Sequence, residues 1–192
     1  MLDNLKGYRI ILASKSPRRR QLLEELGISF TVEVREVDEV FPEHLPVDKV
    51  AEYLAQLKAA PFKNSIDKNT LVITSDTIVC TEEQILGKPA NYREAFQMLS
   101  LLSGKSHRVI TGVNLLTHNQ NISFSTSTTV YFKSLSEEEI DYYITNYQPF
   151  DKAGAYGIQE WIGYVAVEKI EGSYFNVMGL PVQHLYEELS KF

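Results

Sequence analysis

A mixed α/β fold is predicted by three observations. Strand-like and helix-like segments alternate from end to end of the 192 residues, which favours a helix-covered sheet over a β-sandwich or a helical bundle. The apolar fraction of 44% is that of an ordinary globular chain. No repeat, low-complexity tract or long linker interrupts the sequence, so residues 1–192 are expected to form one domain.

The elements follow in order. "YRIILAS" reads as a buried strand leading into a helix over residues 17–26, with Ser16 as N-cap, Pro17 at the first helical position and Gly27 closing the C-terminus. "FTVEVR" reads as a second strand. Residues 48–60 place Val50, Leu54 and Leu57 on one helical stripe, with Pro61 where the helix should stop. "TLVITSDTIVC" is the strongest candidate for a central strand. Asn91, with Glu94 three residues on, starts a helix whose stripe is Ala95, Met98, Leu99 and Leu102, with Gly104 after it.

"HRVITGVNLLT" and the alternating "ISFSTSTTVYF" form a long antiparallel pair joined near residues 118–121. Ser136 and Glu139 make a capping box for a helix with the stripe Ile140, Tyr143, Ile144 and Tyr147. A loop is expected from 148 to 161, then the strand "YVAVEKI", a turn at 171–173 and a last helix opened by Pro181.

Composition excludes several classes. A net charge of −6 argues against polynucleotide binding by the whole surface. No run approaches the ~18 apolar residues of a membrane span, and the apolar run 10–13 is too brief for a signal segment. A single cysteine, Cys80, forms no intrachain disulfide and no zinc cluster, and fits a reducing cytoplasm.

The first site candidate lies at the start of the first helix. Arg18, Arg19 and Arg20 follow Ser16-Pro17 directly, at the positive end of the helix dipole, where acidic residues are favoured. Ser14, Lys15 and Ser16 add hydroxyls, backbone N–H groups and one more cation. Such a terminus is a phosphate seat, and guanidinium forks add bidentate contacts. The competing reading is solvated surface charge, or side chains snorkelling over apolar neighbours. It weighs most for Arg20. The pattern is neither a Walker loop nor a dinucleotide fingerprint.

Asp76 is the second candidate. A carboxylate directly after an apolar strand segment is costly to bury without a partner. It either accepts turn hydrogen bonds or serves a hard divalent cation, Mg²⁺ or Mn²⁺. Glu39, Lys58 and Lys88 are weaker: Glu39 and Lys88 are loop charges, and Lys58 suits the C-terminal end of its helix without further purpose. The third candidate is "FDKAGAYGIQ", where two glycines allow close backbone approach and Asp151, Lys152 and Gln159 are polar groups to aim inward. The histidines at 44, 107, 118 and 184 and the lone Trp161 show no metal or triad spacing.

Taken together, "ASKSPRRRQLLEELG", Glu39, "LAQLKA", "SDTIV", "GKP", "HRVITG", "DKAGAYGIQ" and "GSYFNVMGLP" resemble, in order and spacing and over essentially the whole chain, the Maf family. These are nucleoside triphosphate pyrophosphatases also called septum formation inhibitors. The resemblance implies a long mixed sheet with helices and two lobes around a cleft, similar to inosine triphosphate pyrophosphatases. It also implies a cytoplasmic hydrolase that cuts a nucleotide between the α and β phosphates with a divalent cation. By position, Asp76 matches the catalytic aspartate, Arg18 and Arg19 the phosphate-binding arginines, Lys58 and Lys88 further basic positions, and Glu39 a site carboxylate. Thr77 and Gln159, with Arg18, match positions tied to substrate choice.

Gln159 resembles the branch acting on dTTP and UTP, whereas the 7-methyl-GTP branch tends to carry glutamate. A glutamine amide offers an acceptor and a donor, complementary to N3–H and O4 of uracil or thymine. One departure stands out: the family commonly has glycine after the glutamine, and this chain has Glu160. Sequence leaves open whether Asp76 is base, metal ligand or both. The rival readings are a nucleotide-binding regulator of cell division with little turnover, and single-stranded nucleic-acid binding, which the net charge opposes. The strand pair spanning 107–132 is long enough to serve a homodimer.

Overall fold

The computed structural model describes residues 2–82 and 84–192. Among these residues seven strands, β1 (Arg9–Leu12), β2 (Thr31–Val32), β3 (Thr70–Cys80), β4 (Ile85–Leu86), β5 (Ser106–Leu116), β6 (Asn121–Phe132) and β7 (Val167–Glu171), form one sheet. Its order is β2-β1-β3-β5-β6-β7, with β4 paired to β3. β1 runs parallel to β2 and β3, while β3–β4 and β6–β7 are antiparallel, so the sheet is mixed. The helices are α1 (Pro17–Glu25), α2 (Val47–Ala59), α3 (Tyr92–Leu102), α4 (Glu137–Tyr147), α5 (Trp161–Ala166), α6 (Tyr174–Met178) and α7 (Val182–Leu189). The mixed α/β class is therefore as predicted.

Local chemistry explains the helix starts. The Ser16 hydroxyl accepts from the Arg19 N–H, and the Asn91 amide oxygen accepts from the Glu94 N–H at 3.0 Å. Ser136 and Glu139 complete their capping box in both directions, at 3.2 and 2.9 Å. Gly27 follows α1 with φ +72°, a left-handed conformation open to glycine without cost.

Three expectations are corrected. "FTVEVR" supplies only Thr31–Val32 as strand: it lies at the sheet edge, and Val32 remains 47% exposed, so no buried face extends the pairing. The first half of "YVAVEKI" is helical, because Ile162 and Ala166 bury together at helical spacing and the strand begins only at Val167. Tyr174–Met178 forms a helix where only a turn and a later helix were expected, and the two-residue β4 was not anticipated. Periodicity has too little length to act on in either.

The chain divides into two compact units. The first comprises the residues up to Asp76, Thr111–Thr126 and Gly179–Phe192; the second comprises Thr77–Ile110 and Ser127–Met178. β3, β5 and β6 contribute residues to both. In the first unit Ile11, Phe62, Val72 and Leu116 are among the core residues. There α2 crosses β5 so closely that a Cβ on Gly112 would lie 2.2 Å from the Ala51 carbonyl oxygen. In the second, Leu99, Phe132, Tyr143, Tyr156 and Ile162 belong to one buried cluster.

Candidate active site

The first unit assembles a charged site at the start of α1. β1 hands the chain over at Ala13, whose N–H donates to the Ile73 carbonyl at 2.9 Å. Ser14 is buried, and its hydroxyl accepts from the Ser16 N–H at 3.2 Å, folding the loop back so that α1 begins beside β3. Arg18 and Arg19 then sit half-buried in the first turn.

Arg19 is gripped by carbonyls. Its Nη1 donates to the Ser75 carbonyl at 2.7 Å and its Nε to the Gly179 carbonyl at 2.8 Å, while the Ser75 hydroxyl also donates to Gly179 at 3.2 Å. Desolvation pushes the guanidinium below its ordinary pKa; the charge of Asp76 raises it again, Arg18 lowers it, and Glu39 raises it. The residues that exert these fields are the ones that share the site.

Asp76, 8% exposed, accepts a short hydrogen bond at Oδ1 from the Lys58 ammonium. The same ammonium pairs with Glu39 Oε1 at 3.1 Å. Two anchors set this geometry. The Thr74 hydroxyl donates to the Ala55 carbonyl at 2.6 Å, holding β3 against α2 three residues before Lys58. Arg35 donates to the Pro61 carbonyl at 2.7 Å, pairs with Glu33 at 2.8 Å and lies 4.2 Å over the Phe62 ring, tethering the segment that leads to Glu39.

Two carboxylates thus converge on one cation. Oxygen donors in this number suit a hard divalent ion that completes its shell with phosphate oxygens and water. No cluster of three or more His, Cys, Asp or Glu side chains able to hold a metal alone occurs among the described residues. Asp76 and Glu39 are the two side chains here that could contribute to holding such an ion.

The remaining candidates belong to the second unit. Thr77 is half-buried on β3, and Lys88 is exposed in the loop after β4. The Gly87 carbonyl in that loop accepts from the Gly154 N–H at 3.0 Å, tying it to the segment that carries Lys152 and Gln159. Gly154 and Ala155 are both left-handed, at φ +69° and +60°. A non-glycine residue held there costs of order 1–3 kcal/mol and marks a segment fixed by its surroundings. Ala155 is fully buried.

Lys152 is also buried, 8% exposed, and pairs with Asp151 at 2.6 Å and Glu160 at 3.1 Å. The Gln159 side-chain oxygen is buried and has no hydrogen-bond partner. A buried acceptor left unmatched costs roughly 1–3 kcal/mol. It is an expense that a bound N–H group would remove.

Sequence reasoning missed Ser75, Gly179, Tyr143 and Arg35. Each acts through backbone or through contacts distant in the chain, which no local pattern encodes. Glu160 was visible only as a departure. His107, silent in sequence, is a buried structural group: its Nε2 meets the Tyr156 hydroxyl at 2.7 Å. No helix is long and apolar enough to cross a membrane among the described residues.

A family model described as Maf-like protein matches residues 9–192. A dTTP/UTP pyrophosphatase of Parabacteroides distasonis is 52% identical over 193 residues, spanning 100% of both chains. One from Phocaeicola vulgatus is 54% identical over 192 residues, again 100% of each. Among solved structures, the Staphylococcus aureus Ham1 protein is similar at a TM-score of 0.44 and 13% identity, covering 65% of this chain and 71% of that one.

Proposed function

The chain belongs to the Maf-like protein family, and from that premise we propose that it is a nucleoside triphosphate pyrophosphatase converting dTTP and UTP to the monophosphate and pyrophosphate. The observation that carries the reading is the Lys58 ammonium held between Asp76 and Glu39, in a site completed by the half-buried arginines at the start of α1.

In this reading Arg18 and the hydroxyls of Ser14 and Ser16, at the positive end of the α1 dipole, receive the phosphate oxygens. Arg19 contributes charge while holding the backbone before Asp76 in register. Lys58 neutralises the attacking side of the site. The Asp76 carboxylate, fixed at Oδ1 by Lys58, orients a water and takes its proton as the oxygen attacks the α-phosphorus. The bond from that phosphorus to the bridging oxygen breaks, and pyrophosphate leaves with the electron pair. Asp76 and Glu39 would hold Mg²⁺ or Mn²⁺, which when bound supplies charge neutralisation and a lowered pKa for coordinated water.

Base choice follows from Gln159. Its unpartnered oxygen matches the N3–H of uracil or thymine, whereas N3 of cytosine carries no proton and would oppose acceptor with acceptor. Thr77 and Arg18 match the other positions that the family resemblance ties to nucleotide choice. The lone buried Cys80 suits a reducing cytoplasm.

Product analysis tests this reading. Incubation of UTP with the protein and Mg²⁺ should yield UMP and pyrophosphate in equal amounts. UDP and inorganic phosphate would place the attack at the wrong phosphorus, and nucleotide binding without turnover would favour a regulatory role instead.

A further inference from the structure

The four-residue turn that carries Gln159 is clamped from outside by one phenol. The Tyr143 hydroxyl, buried on α4, accepts from the Gly157 N–H at 3.0 Å and donates a short hydrogen bond to Glu160 Oε2. The two ends of the turn therefore meet at a single oxygen, and the Glu160 N–H closes the turn on the Gly157 carbonyl at 3.0 Å. The other Glu160 oxygen pairs with Lys152 at 3.1 Å.

Space is as constrained as polarity. A Cβ on Gly157 would lie 2.9 Å from the Glu160 carboxyl carbon and 3.1 Å from Lys152 Cε. Burial, then the hydrogen bond to Glu160 and its charge, drives the Tyr143 pKa far above its ordinary value, so the phenol stays a neutral donor throughout the working pH range. Such a network resists deformation, because moving any member leaves a buried charge or hydroxyl unpaired.

We propose that Tyr143 and Glu160 are positioning residues for base selection: they fix the 157–160 turn so that the Gln159 oxygen stands at the angle that accepts a pyrimidine N3–H, without touching the base themselves. The proposal rests on the reading of Gln159 given above.

The test compares kcat/KM for UTP and CTP in the unmodified protein, Tyr143→Phe, Glu160→Gln and Gln159→Ala. The positioning role predicts that Tyr143→Phe and Glu160→Gln lower the UTP:CTP ratio about tenfold or more, through a raised KM for UTP rather than a lost kcat. A merely structural role would lower both substrates together. Retention of the ratio within about twofold in either folded variant, while Gln159→Ala abolishes it, would overturn the proposal. Should Tyr143→Phe fail to fold, as judged by circular dichroism, Glu160→Gln decides alone. If the unmodified protein uses CTP as well as UTP, or Gln159→Ala leaves the ratio unchanged, the base-reading premise itself falls.

Discussion

Arg19 donates from Nη1 to the carbonyl of Ser75 at 2.7 Å, the residue that immediately precedes Asp76. A side chain in the first turn of α1 thus fixes the backbone that presents the site carboxylate. Its Nε reaches Gly179 at 2.8 Å, so the same guanidinium also binds the start of the C-terminal segment.

Arg19→Lys should therefore damage turnover more than binding. An ammonium keeps the charge but cannot fork to two carbonyls. Loss of these charge-assisted hydrogen bonds, each worth roughly 1.5–3 kcal/mol, should lower kcat about 10- to 100-fold and reduce the melting temperature. Arg18→Lys should act mainly on KM. Steady-state kinetics beside thermal unfolding separates the two.

Glu39→Gln should be mild for stability and marked for metal dependence. The Lys58–Glu39 pair, at 3.1 Å, has a carboxylate side chain 47% exposed, and such pairs contribute about 0–1 kcal/mol. The Mg²⁺ concentration for half-maximal rate should rise several-fold while the melting temperature stays nearly constant. An unchanged metal requirement would remove Glu39 from the ligand set.

Gly112→Ala should destabilise the first unit without touching the chemistry. The added Cβ would lie 2.2 Å from the Ala51 oxygen, and backbone on both sides leaves no flexible atom to yield. A cost of about 1–3 kcal/mol or more is expected from overpacking, read as a lowered urea midpoint at unchanged slope.

His107 should make stability fall in acid. Burial depresses its pKa from 6.5 to about 4. Between those values the unfolded chain binds a proton that the folded chain refuses, so stability is full above pH 6.5, declines as pH falls toward 4, and flattens below. The loss from this group is of the order of 3 kcal/mol. In His107→Phe the urea-derived stability should lose that part of its pH dependence, with the carboxylate part remaining.

Much of this architecture was legible because its causes are local. Capping at Ser16, Asn91 and Ser136 needs only residues three apart. The charge of Arg18 and Arg19 at the positive end of α1 was equally legible, because the dipole argument needs only the helix start beside them. What stayed hidden depends on partners distant in sequence: that Arg19 would be held by Ser75 and Gly179, or that Glu160 would join Tyr143 and Lys152. Arg20, which sequence left without a purpose, forms an exposed pair with Glu24 at 2.9 Å. A surface role accounts for it.

In the proposed reaction Asp76, held by Lys58, organises water attack on the α-phosphorus. The most direct measurement is pyrophosphate release from UTP with saturating Mg²⁺ by the unmodified protein and by Asp76→Asn, with circular dichroism on both. The amide keeps the shape of the side chain and removes its charge, so turnover should fall about 10²- to 10⁴-fold or more with the spectrum unchanged. Turnover by a folded Asp76→Asn protein within a few-fold of the unmodified enzyme would contradict the account.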